Sequence, residues 1–185
     1  PHTGRQIGPP TSVCPYGTFE TYYPVDADAF NGTGATCFTE VGDVNATGGT
    51  IGNILRAANH SGLSGGVHLG LMFAAAEHGF PGQTNGTFAD WGGFQADVAR
   101  YLLAKFNQHQ HQQTADDDID MAAVTGIYTE IEFSNDGNWL LDMPKFGQDY
   151  QGSIARAVNA VCGKCQVWAS PYSIGNLTRH PTGFD

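Results

Sequence analysis

Three carboxylates stand close together in "AAAEHGFPGQTNGTFADWGGFQAD": Glu77, Asp90 and Asp97. Cleaving a glycosidic bond needs one carboxyl that stays protonated, to give its proton to the leaving oxygen. It also needs a second, ionised one, to activate water or to stabilise charge on the sugar. Glu77 suits the first role. It closes the run "VHLGLMFAAAEHGF", which is apolar except at His68 and Glu77 and reads as a buried central helix. His78-Gly79-Phe80-Pro81 must end that helix. The negative end of the helix dipole and the apolar surroundings both favour the protonated carboxyl. Asp90 follows the flexible "GQTNGTFA" loop, which can turn back over the helix end, and Asp97 lies on the next helix. The two aspartates are placed to hold and deprotonate an attacking water.

The elements that would position these groups follow from apolar spacing. "GGTIGNILRAANHSG" carries Ile51, Ile54, Leu55 and Ala58 at helical spacing and closes at Gly62. "FQADVARYLLAKFNQHQ" puts Phe94, Val98, Tyr101, Leu102 and Phe106 on one stripe, the mark of an amphipathic helix. "TADDDIDMAAVTGIYTEIEF" opens on acids suited to a helix N-terminus and continues with Ile119, Ala122, Ala123 and Ile127. "YQGSIARAVNAVCG" is a further helix, and "CQVWASPYSI" a strand or extended tail. Residues 1–48 are rich in Gly, Pro, Thr and aromatics without helical period. They read as an irregular arm with a short strand near "FETYYPV". The expected architecture is one domain over 1–185, mainly α with minor β, with the arm packed on it.

From these residues a resemblance emerges. "AAEHGF…NGTFADWGGFQAD" resembles the lysozyme-like superfamily, and goose-type lysozymes in particular, over about residues 51–106. Gly92-Gly93-Phe94-Gln95 stands where those proteins carry Gly-Leu-Met-Gln, and Asp97 matches their trailing acid. "ILRAANHSGLSGGVHLGLMFAAAEHGF" is also similar to the helices leading to the catalytic Glu of phage tail lysozymes and lytic transglycosylases. The resemblance implies a lysozyme-like fold and a muramidase acting on the β-1,4-linked GlcNAc/MurNAc chain of peptidoglycan. Glu77 is then the general acid, and Asp90 and Asp97 serve as the base of an inverting reaction. Gln95 belongs to the signature, Trp91 is expected at the cleft wall, and Tyr128 or Glu132 lines the cleft if "GIYTEIEF" is helical. As a strand, the same segment alternates and turns Glu130 and Glu132 to solvent. No cofactor or metal is called for: "DDDID" lacks the EF-hand pattern, and His60, His68 and His78 share no helical face.

Composition narrows the partners. The chain of 185 residues is 41% hydrophobic and 14% charged, and its net charge of −10 reflects eight Lys and Arg. Such a surface repels nucleic acid and anionic lipid, and no apolar run reaches membrane-spanning length. The charge also fits an acidic working pH, or a cationic glycan such as chitosan. Asn31, Asn45, Asn59, Asn85 and Asn176 each begin an N-glycosylation sequon, which points to a secreted, extracellular protein. The opening "PHTGRQIGPP" is compatible with a processed mature end. Cys14, Cys37, Cys162 and Cys165 are an even set with three possible pairings, of which Cys162–Cys165 with Cys14–Cys37 is preferred. A monomer working on a polysaccharide is expected. The rivals are a chitosanase or other β-1,4-glycanase on the same scaffold, and a glycan-binding protein without catalysis.

Overall fold

The computed structural model describes residues 3–44, 49–63, 65–71, 88–107, 111–113, 118–120, 122–129, 133–134, 145–169 and 171–172. They form a mixed α+β structure built around one long helix.

The arm is a small sheet. β1 (Gly4–Gly8) pairs antiparallel with β2 (Thr18–Thr21), and β2 pairs parallel with β3 (Phe38–Glu40). Between β2 and β3 lie two single turns, α1 (Ala29–Gly32) and α2 (Gly34–Cys37). The expected strand near "FETYYPV" is β2, but the arm around it is more regular than its composition suggested. Alternation of buried and half-buried residues along Thr18–Thr21 turns Phe19 into the core.

The helix expected over 49–62 is present as α3 (Thr50–His60), with Ile51, Leu55 and Ala58 buried and Gly62 following at φ 73°. The helix expected from Val67 does not begin there. Val67–Gly70 is strand β4, paired parallel with β7 (Val124–Tyr128), and β7 in turn pairs parallel with β9 (Gln166–Trp168). The reason is physical. A short apolar run fits a strand as well as a buried helix, so the period cannot separate them. The helix expected after "TADDDID" is also overturned, and the strand alternative for "GIYTEIEF" holds over 126–128. Asp118–Asp120 is β6, paired with β5 (His111–Gln113), and Ile127 sits in β7.

The buried central helix is instead α4 (Phe88–Asn107). Trp91, Phe94, Val98, Ala99, Leu102, Leu103 and Phe106 are all buried along it. It starts six residues before the amphipathic stripe that announced it, so Asp90 lies in its first turn and not in a loop. α5 (Gly152–Val161) packs along α4, preceded by a π-helical turn at Phe146–Gln151. The chain therefore runs β4, α4, β7, α5, β9, with its three parallel strands in that order in the sheet. Two-stranded β8 (Phe133–Ser134) with β10 (Pro171–Tyr172) completes the pairing.

Both preferred disulfides form. Cys14–Cys37 ties the segment between β1 and β2 to the end of α2, and Cys162–Cys165 closes the short turn between α5 and β9. Among the described residues, no helix is long and apolar enough to cross a membrane.

Candidate active-site groove

The arm sheet and α4 meet through aromatic rings. Phe94 stacks on Tyr16 at 4.6 Å and packs on Phe19 at 5.2 Å, while Phe30 reaches Phe38 at 4.7 Å and Tyr101 at 5.3 Å. Offset and tilted aromatic pairs of this kind each contribute about 1 kcal/mol beyond their buried area. A polar clamp holds the far end. The Tyr101 hydroxyl lies 3.0 Å from both the Pro24 carbonyl and an Asp26 carboxylate oxygen, and Lys105 Nζ is 3.0 Å from Asp26. The hydrogen bond from Lys105, then that from Tyr101, holds the Asp26 carboxyl below the usual carboxylate range.

Where the rings stop short of closing the seam, a cavity of about 370 Å³ opens between the arm and α4. Its walls include Tyr16, Phe19, Phe30, Phe38 and Phe94, and α4 contributes Asp90, Gly93 and Asp97. Positions 90, 93 and 97 share one helical face, because residues three and four apart are neighbours on the surface of a helix. Asp90 and Asp97 are separated along the axis by about 10 Å, seven residues at 1.5 Å each. A shallower hollow of about 490 Å³ continues along α4, bounded by Asp26, Asp28, Asp97, Arg100 and Tyr101. Phe30, Asn31 and Asp97 border both, so the two form one groove.

The electrostatics of the groove are negative. The Tyr16 phenol is pushed above its ordinary pKa, first by burial and then by the charges of Asp90 and Asp97. Both aspartates are thus close enough to a common wall residue for it to sense them. Asp97 also pairs with Arg100 one turn on, an exposed i,i+3 contact of the kind that contributes little to stability.

Among the sequence-derived site residues, Asp90 and Asp97 come together here. Trp91 does not form a wall. It is buried, 5% exposed, and meets Tyr16 and Phe94 edge-on from behind the cavity. Gln95 is fully buried in α4, and Tyr128 lies half-buried on β7, so neither borders the groove. Asn31 borders it, and Asn59 lies near the end of α3. Glu77, Glu132, Asn45, Asn85 and Asn176 lie outside the described residues.

Sequence reasoning missed Tyr16, Phe30 and Asp26 as groove residues. A signal for the first was present: linking Cys14 to Cys37 brings the neighbours Tyr16 and Phe38 to one place. Among the described residues, no group of three or more His, Cys, Asp or Glu is placed to hold a metal ion. No family model, curated protein or solved structure matches this chain.

Proposed function

We propose that the protein is an extracellular glycoside hydrolase of lysozyme-like type, whose polysaccharide lies in the groove between the arm sheet and α4. The observation that carries this reading is the pairing of Asp90 and Asp97 on one open helical face opposite an aromatic wall. Sugar rings present C–H faces that pack on aromatics, and hydroxyls that bond to carboxylates. Glu77 is the proposed acid. In sequence Glu77 lies between β4 and α4, whose first turn carries Asp90. In the proposed reaction Glu77 protonates the leaving oxygen. Asp90 and Asp97 orient the water, take its proton as it attacks the anomeric carbon, and the configuration there inverts.

The resemblance over 51–106 supplies the first substrate class, the β-1,4-linked GlcNAc/MurNAc chain. A specific observation favours a second. Among the described residues, those bordering the deeper cavity include two aspartates and no Lys or Arg, although Arg100 borders the adjoining hollow, and this balance suits a cationic chain such as chitosan. Reducing-end release from peptidoglycan and from chitosan separates the two.

The reading is tested with Glu77→Gln and Asp97→Asn in that assay. Glu77→Gln is expected to lower the rate by about 10²–10⁴-fold with an unchanged melting curve. Undiminished release by Glu77→Gln would remove that residue from the mechanism. Binding of either glycan without release would make this a lectin.

A further inference from the structure

Two adjacent residues of the arm have backbone conformations that their types rarely adopt. Phe30 has φ 54° and Asn31 φ 61°, and among the described residues they are the only non-glycines with positive φ. Asn tolerates the left-handed region, whereas an aromatic residue there is strained and persists only when its surroundings hold it. Here the surroundings are evident: the Phe30 ring is wedged between Phe38 and Tyr101, on the groove side of the arm. Anchoring Phe30 fixes what comes next. Asn31 is exposed, and it stands on the rim where the deep cavity and the shallow hollow meet. It is also the first residue of Asn31-Gly32-Thr33, a glycosylation sequon.

We propose that Asn31 carries an N-linked glycan, and that this glycan caps the groove and restricts access to Asp90 and Asp97. The modification is a group transfer from a lipid-linked oligosaccharide pyrophosphate in the secretory route. A bond forms between Asn31 Nδ2 and the anomeric carbon of the first sugar, and the bond from that carbon to the pyrophosphate oxygen breaks. The lipid pyrophosphate leaves, and the amide proton passes to solvent. Transfer acts on the unfolded chain, so the later half-burial of Thr33, whose hydroxyl donates to the Phe30 carbonyl at 2.8 Å, does not oppose it. After folding, the glycan's base is held by the Phe30 anchor at the seam of the groove and not on a swinging loop. A hydrated oligosaccharide there covers the mouth and competes with an incoming polysaccharide. Glycosylation and trimming then set how open the site is. The consequence for catalysis rests on the hydrolase reading, whereas the shielding itself does not.

The test uses the chain secreted from a eukaryotic host. Glycopeptide mass spectrometry reports occupancy at Asn31. Carbodiimide coupling of an amine to the carboxyls of Asp90 and Asp97 reports access. Three forms are compared: glycosylated, trimmed by an endoglycosidase to a single sugar, and Asn31→Gly, which suits the left-handed backbone and removes the sequon. Coupling at both aspartates should rise several-fold in the trimmed and Asn31→Gly forms, and stay unchanged in Asn59→Gln. Release of reducing ends from chitosan should rise with it. An unmodified Asn31 in the secreted protein would overturn the proposal. So would equal coupling in all three forms, and the trimmed form keeps that result interpretable if Asn31→Gly misfolds. Increased coupling without hydrolysis by any form would uphold the shield and discard the hydrolase.

Discussion

Helix α4 has two working faces, and the neighbours Gly92 and Gly93 show how differently they are built. Gly92 is buried against the π-helical turn. A methyl group there would run into the Asp149 carbonyl and the Tyr150 backbone, which cannot move aside as a side chain can. Gly93, one residue on, points into the groove, with nothing within 4 Å of an added methyl. The first glycine exists for packing: it lets α4 approach the backbone that leads into α5. The second leaves a gap between Asp90 and Asp97. A helix pays about 1 kcal/mol for a glycine relative to alanine. At position 92 close approach repays it, whereas at 93 no packing contact does. The space left at Gly93 lies between two carboxylates.

Substituting both glycines breaks or sharpens that contrast. The largest effect is expected for Gly92→Ala, which should lower stability by about 1–3 kcal/mol, because overpacking against backbone forces α4 away from the turn. Chemical denaturation gives the value. A neutral Gly92→Ala would mean that the two faces do not differ as described. Gly93→Ala should act in the opposite direction and raise stability by about 0.5–1 kcal/mol, since it restores helix propensity and meets no atom. A loss of stability there would show the groove to be filled.

A smaller effect reads the charges. Because burial and the two aspartates raise the Tyr16 pKa, the folded state holds that phenol's proton more tightly than the unfolded chain. Its contribution is therefore fully present below the unfolded value of about 10, and is lost as pH rises through the raised folded value. Neutralising one carboxylate by Asp97→Asn should bring the Tyr16 titration downward, as followed by phenolate absorbance or by the ring resonances. A titration that ignores this substitution would separate Asp97 from the cavity wall.

The same contrast shows what the sequence made legible. The packing face of α4 was readable because Phe94, Val98, Leu102 and Phe106 recur at helical spacing. The disulfides were readable from the local Cys162–Cys165 spacing and an even count. α3 was readable because its apolar period ends at a glycine suited to the left-handed region. The site face was legible in part: Asp90 and Asp97 were identified by type, while the helix that aligns them extends further upstream than its apolar stripe. "VHLG" became a strand because a short apolar run fits a strand and a buried helix alike, while "VTGIY" follows the strand alternative for its segment. Trp91 was expected at a wall because of its neighbours in sequence. On a helix the next residue points about 100° away, so adjacency to Asp90 did not place it beside Asp90 in space. The opposite wall depended on Phe30 and on a strained turn, and strain at a single turn leaves no periodic trace.

The central claim is that chemistry takes place in the groove between the arm and α4, and Gly93→Leu tests it most directly. A Cβ added there meets nothing within 4 Å, and the rest of the leucine side chain would extend into the gap between Asp90 and Asp97. Reducing-end release from chitosan and peptidoglycan should fall to background, while the melting temperature stays at or above that of the wild type. Wild-type release by a stably folded Gly93→Leu protein would place the reaction elsewhere and contradict the account.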